Sequence, residues 1–189
     1  MSTARRLHHS YQEYLDLLQQ NGTKLEYCDG EIFAMAGGTL AHAELGGAML
    51  SWLRNALLGR CKVFSSDAKV RIEATDLSTF PDGSVVCGEP QTSAVDKNAI
   101  TNPSVLFEVT SRSTEDYDRG EKLSHYKQLS SLQAVLVLSH RRPQITVVSR
   151  GDGGWEVREF RAGEALTLSR PELTVAVDEI YRGVALDPE

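Results

Sequence analysis

Apolar residues change their spacing several times along the chain, and those changes mark out its elements. Tyr11, Tyr14, Leu15 and Leu18 recur at helical spacing before Asn21-Gly22, which predicts a first helix over residues 11–20. Two short apolar-containing runs, 24–28 and 31–36, flank Asp29-Gly30, a strong two-residue hairpin signal. Gly37-Gly38-Thr39 reads as a loop. Leu45, Met49, Trp52, Leu53 and Ala56 then line one face of a second helix over 41–58. Beyond Gly59 the period falls to two. Ala68, Val70 and Ile72 alternate with Lys69, Arg71 and Glu73, the pattern of a half-exposed strand.

Pro81-Asp82-Gly83 introduces a short strand over 84–87, and the polar stretch 88–102 reads as a surface loop. Val105-Leu106-Phe107-Glu108-Val109 is a continuous β-type run, expected as a buried central strand. Ser113 or Thr114 can cap a third helix reaching about residue 129, with Asp116 as capping-box partner. Strands are expected over 133–138 and 144–148. A terminal hairpin is expected from 155–160 and 165–168, turning at Ala162-Gly163, with one helical turn over 177–181. The order is helix, hairpin, helix, strands, helix, strands, which predicts an α/β or α+β fold, a sheet with helices on its faces.

Composition narrows the functional classes. With 20 Lys and Arg against 26 Asp and Glu among 189 residues, the formal charge is −6, which opposes any approach to nucleic acid outside a local site. No stretch has the roughly 20 apolar residues of a membrane span. Cys28, Cys61 and Cys87 are odd in number and far apart. They suggest neither a disulfide framework nor a zinc site, and a reducing, cytoplasmic location is the simplest reading. Cys87 is a nucleophile by type, but no histidine partner is indicated, so it is read as a buried structural cysteine. The first ten residues lack the apolar core of a secretory signal.

The odd residue is Glu108, a carboxylate inside a β-branched strand, which is costly there unless it is paired or binds a metal. Asp82, at the start of the preceding strand, can meet it if the two strands are neighbours. A divalent cation would then relieve their repulsion, and oxygen donors favour Mg²⁺ or Mn²⁺ over zinc. The plainer reading makes Asp82 a turn residue and gives Glu108 an arginine partner. Asp118, Lys122 and Tyr126 share one helix face at i, i+4 and i+8. Lys122 can therefore reach the carboxylates, or form only an exposed ion pair with Asp118. His42 reads as a helix-start, hydrogen-bonding residue, and Lys69, Arg71, Arg141 and Arg142 as solvated surface.

Pro81-Asp82, Phe107-Glu108-Val109-Thr110-Ser111 and Asp118-Arg119-Gly120-Glu121-Lys122-Leu123 with Tyr126 together resemble the Uma-type "putative restriction endonuclease" family. That family is a branch of the PD-(D/E)XK nuclease superfamily. Leu25-Glu26-Tyr27-Cys28-Asp29-Gly30-Glu31 and His42 extend the resemblance, which covers roughly residues 10–182. It implies a restriction-endonuclease-like fold, a mixed central β-sheet flanked by helices, with a flexible segment at 1–9 and a tail at 183–189. It also implies a metal held by Asp82, Glu108 and the Val109 carbonyl. The superfamily places a lysine two residues after the glutamate, where this chain has Thr110. Lys122 is the matching replacement, supported by Asp118 and Tyr126, and Glu26 is either a further acidic group or a solvated hairpin residue.

The expectation is thus a Mg²⁺- or Mn²⁺-dependent endonuclease that hydrolyses phosphodiester bonds, with nucleic acid, DNA first, as its partner and a homodimer as its active form. The rival expectation is a catalytically degenerate nuclease fold acting as a binding module, which Thr110 and the acidic balance favour.

Overall fold

The computed structural model describes residues 8–35, 37–111 and 120–188. Helix α1 (Tyr11–Asn21) starts in a capping box between Ser10 and Glu13 and ends at Gly22, whose φ of 61° lets the chain leave in the left-handed region. Strands β1 (Leu25–Cys28) and β2 (Glu31–Ala34) form the expected hairpin, with positive φ at both Asp29 and Gly30 as a tight turn of this twist requires. His9 donates its amide to the Gly30 carbonyl at that turn.

Helix α2 (Leu40–Ala56) is capped by the Thr39 hydroxyl and buries Leu45, Met49 and Leu53. Strands β3 (Lys62–Ser65), β4 (Lys69–Ile72), β5 (Leu77–Thr79), β6 (Gly83–Val86), β7 (Ala99–Ile100) and β8 (Val105–Val109) follow. Helix α3 (Glu121–Tyr126) leads to β9 (Ala134–Leu138), β10 (Gln144–Gly151), β11 (Gly154–Arg161), β12 (Ala165–Ser169), β13 (Glu172–Ala176) and α4 (Val177–Ile180). The expected capping of the third helix at Ser113 or Thr114 lies outside the described residues.

The strands of the described residues form three sheets. A six-stranded mixed sheet runs β11-β10-β9-β8-β6-β3, with β8 and β9 parallel, and a five-stranded sheet runs β2-β1-β5-β4-β7. The third sheet is the β12-β13 hairpin. Side chains alternate across β8. Val105, Phe107 and Val109 pack with Leu45, Met49, Leu53 and Leu57, while Leu106 faces the other way, toward Val70, Ile72 and Leu77 of the five-stranded sheet and Leu123 and Tyr126 of α3. Glu108 shares the parity of Leu106, so it points into the space between the two sheets. The chain passes from one sheet to the other through Phe80-Pro81-Asp82, between β5 and β6.

Several expectations are corrected. Lys69 and Arg71 are buried, because β4 is covered on both faces. Lys69 pairs with Asp96 at 2.6 Å, and the Arg71 guanidinium stacks 4.0 Å from the Tyr11 ring beside Asp76. Residues 155–160 pair with β10 and not with β12; the terminal hairpin is β12-β13. Its cis Arg170-Pro171 turn lies after the expected strand. Strands β3 and β5 had no periodic signal. Cys61 and Cys87 are joined in a disulfide, Cα–Cα 4.2 Å, and Cys87 is exposed. The register that sets Lys62 against Val86 places the two cysteines opposite each other one residue further out. Spacing in sequence hides such a cross-strand pair, and the bond removes the cysteine argument for a reducing compartment.

Gly83 opens β6 under the Phe107 ring; a Cβ there would lie 2.1 Å from Phe107 Cε1. Gly83→Ala is expected to lower stability by about 1–3 kcal/mol through overpacking, read as a lower urea midpoint at unchanged slope.

Candidate active site

Antiparallel pairing sets Gly83 against Phe107, so the register continued by one residue brings Asp82 opposite Glu108. Asp82 Oδ2 accepts the Val109 amide at 2.7 Å, so the strand that carries Glu108 also orients Asp82. Asp82 Oδ2 also lies 3.2 Å from His42 Nε2. His42 occupies the first turn of α2, where its amide donates to the capping Thr39 hydroxyl. The cap thereby aims the imidazole at the β5–β6 crossover.

Glu108 is 4% exposed, and its Oε1 accepts both the Tyr126 hydroxyl at 2.5 Å and Lys122 Nζ at 2.9 Å. Lys122 and Tyr126 stand four residues apart in sequence, one helical turn, and so converge on the same carboxylate. Burial first, and then the Glu108 charge, push the Tyr126 phenol well above its ordinary value, which keeps it a proton donor. Lys122 Nζ also lies 3.5 Å from Glu26 Oε1, and Glu26 accepts the Thr79 hydroxyl from the neighbouring strand β5. Glu26 is buried, not solvated as hairpin glutamates commonly are.

Glu26, Glu108, Lys122 and Tyr126 therefore form one buried cluster, with Asp82 and His42 beside it. Among the described residues, three carboxylates, one ammonium and one imidazole are thus brought together in a weakly solvated place. Thr110, at the position of the superfamily lysine, is buried and engaged elsewhere. Its hydroxyl lies 2.9 Å from His140 Nδ1 and 3.2 Å from the Leu138 carbonyl. Lys122 reaches Glu108 from α3 instead. Asp118 lies outside the described residues.

Among the described residues no group of three or more His, Cys, Asp or Glu side chains is gathered tightly enough to encage a metal. Two opposed carboxylates are still donors of the kind that suits Mg²⁺, which keeps several waters and binds through one or two protein carboxylates plus substrate phosphate. The residues fit that ion and not a thiolate- or imidazole-seeking one.

Two side chains of the site were not assigned to it from sequence. His42 reads from the sequence as a hydrogen-bonding helix-start residue that extends the family resemblance, and its partner Asp82 is 40 residues away. Thr79 belongs to a three-residue strand without a pattern, and only its place next to the Tyr27–Ser78 pairing brings it to Glu26. Arg141 is engaged as well, donating to His140 Nε2 at 3.2 Å.

The chain has relatives both in sequence and in structure. It is 36% identical over 178 residues to "Uncharacterized protein slr1290" of Synechocystis sp., covering 93% of each chain. It is 30% identical over 156 residues to "Uncharacterized protein sll1609" of the same organism, covering 81% of this chain and 88% of the relative. The crystal structure of "a putative nuclease belonging to DUF820" from Anabaena variabilis superposes with a TM-score of 0.71 at 14% identity, over 90% of this chain and 98% of that one. At that identity the similarity speaks for the fold alone, a mixed α/β architecture. Residues 11–178 match the Uma2 family, described as "Putative restriction endonuclease", and the chain belongs to that family.

Proposed function

We propose that the protein is a Mg²⁺- or Mn²⁺-dependent endonuclease that hydrolyses phosphodiester bonds in DNA. The observation that carries this reading is Lys122, whose ammonium lies 2.9 Å from buried Glu108 although the superfamily position holds Thr110. Asp82 and Glu108, with the Val109 carbonyl, would hold the ion. Bound there, a divalent cation polarises the phosphodiester and makes water a usable nucleophile near neutral pH.

The remaining work falls to the chain's own groups. Lys122 stabilises negative charge as it develops on the scissile phosphate. Tyr126 fixes one oxygen of Glu108. His42 and the Val109 amide hold Asp82 in one orientation, and Glu26 with Thr79 keeps the ammonium from swinging away. Cutting both strands of a duplex needs two such sites, so the active form is proposed to be a homodimer.

Plasmid DNA incubated with the purified protein is expected to be nicked with Mg²⁺ or Mn²⁺ and left intact with chelator. Glu108→Gln is expected to abolish the metal-dependent part. Nicking that persists in Glu108→Gln would remove Glu108 from the site. Intact plasmid under all metals, with no metal bound, would favour a binding module built on a nuclease fold.

A further inference from the structure

Strand β11 closes the six-stranded sheet on one side, and among the described residues no strand pairs with its outer edge. It has eight residues, against four in β3 at the opposite side. An open edge of that length is a template for a further strand. Backbone pairing identifies its open groups. The Ser139 amide donates to the Gln144 carbonyl and the Arg150 amide to the Gln133 carbonyl, so the even-numbered residues of β10 bond toward β9. The odd-numbered ones bond toward β11, where they oppose Glu156, Arg158 and Phe160. Trp155, Val157, Glu159 and Arg161 therefore turn their amides and carbonyls outward.

Arg161 is already closed by its own turn. Its amide donates to Glu164 Oε2 at 2.6 Å, and its carbonyl accepts the Glu164 amide at 2.9 Å. The open edge is thus Trp155, Val157 and Glu159, a stretch symmetric about Val157. That central side chain is β-branched and apolar, yet 61% exposed.

A two-fold axis through an antiparallel strand pair sets the central residue opposite its own copy. Centred on Val157, such a pair sets Trp155 against Glu159 of the second copy and closes about six backbone hydrogen bonds. On the other face, Glu156 of each copy meets Arg158 of the other. Within one copy these two exposed side chains pair along the strand at 3.1 Å. Charges usually protect an edge by setting like against like in a second copy. Here the register that uses every open group opposes unlike charges twice. An axis at Arg158 or at Glu159 would set that residue against itself. Glu156, Arg158, Glu159 and Arg161 also cancel one another, which makes the edge a neutral strip on a chain of net charge −6. Two copies approach there with least repulsion.

We propose that β11 is the surface through which two copies of this chain associate, antiparallel and centred on Val157, joining their six-stranded sheets into one. The assignment rests on the homodimer reading above and names the surface that forms it.

The test is sedimentation equilibrium of the intact protein and of β11 variants over a range of concentrations, with urea unfolding as the check on folding. Val157→Pro removes an amide that makes no bond to β10, a position where an edge strand accepts proline. It is expected to remain folded and to sediment as a monomer where the parent is a dimer. Glu156→Arg and Arg158→Glu each set like charges opposite one another twice, and each is expected to raise the dimer Kd about tenfold or more. An equimolar mixture of those two variants is expected to form a heterodimer, since one carries two cations and the other two anions at the paired positions. The double variant Glu156→Arg/Arg158→Glu is expected to regain the parent's Kd. A monomeric parent, a dimer indifferent to Val157→Pro, or charge variants that are not rescued by mixing would overturn the proposal. A dimer with the expected responses that leaves plasmid intact would keep this assignment and count against the nuclease reading.

Discussion

Lys122→Met is expected to cost about 3–5 kcal/mol of stability, because it leaves the buried Glu26 and Glu108 carboxylates without their shared cation. Methionine keeps the length and apolar stem of lysine, so the loss isolates the charge. In urea unfolding at neutral pH without divalent ions, the midpoint should fall sharply at similar slope. Addition of Mg²⁺ should recover part of the loss in the variant and much less in the parent, since an ion bound to the folded state compensates the same carboxylates. Nicking should fall by at least about a hundredfold, the usual scale for losing one preorganised charge-stabilising group. A Lys122→Met protein as stable as its parent would mean that the two carboxylates do not depend on the ammonium. Loss of stability with full nicking would confine Lys122 to a structural role.

The legibility of this cluster in the sequence was uneven, and physics explains where. Glu108 stood out because a charge inside a β-branched run contradicts its surroundings, and Lys122 with Tyr126 stood out because helical spacing is local. The pairing of β6 with β8, which sets Asp82 opposite Glu108, is contact between strands more than twenty residues apart. Periodicity says which face a residue occupies and nothing about which strand lies beside it. The parity of β8 shows the difference: alternation predicts that Glu108 and Phe107 face opposite ways, but only the packing reveals that the Glu108 side looks toward a second sheet. Glu26 and Thr79 join the site solely through that second sheet.

The same limit accounts for Lys69 and Arg71. Their alternation with apolar residues signals a half-exposed strand, yet α1 and the loop before β7 cover the polar face as well. Two cations are then buried with Asp96, Asp76 and the rings of Tyr11, Tyr14 and Tyr27 as company. Such a layer is invisible from β4 alone. Its charges match only when distant segments meet, as do the cysteines at 61 and 87.

Asp96→Ala is expected to be about as damaging as Lys122→Met, at about 3–5 kcal/mol, because it strands a buried lysine. The carboxylate also accepts the Tyr11 hydroxyl at 2.8 Å and the Asn98 amide at 3.0 Å, so three donors lose one acceptor. Burial works to raise the Asp96 pKa, but hydrogen bonds from Lys69, Tyr11 and Asn98 outweigh it and hold the group below its ordinary value. A carboxyl with a lower pKa when folded contributes stability that is complete above the unfolded value, about 3.9, and is lost as pH falls below it through the folded value. The urea midpoint of the parent should therefore drop more steeply as pH falls below about 4 than that of Asp96→Asn, which has no proton to take up there. Lys69→Met combined with Asp96→Leu should be far less destabilised than Asp96→Ala, because an apolar pair of similar volume leaves no buried charge unanswered. Equal pH profiles for the parent and Asp96→Asn, or a double variant no better than the single one, would show that the Lys69–Asp96 pair is not what fastens α1 and the loop before β7 to the five-stranded sheet.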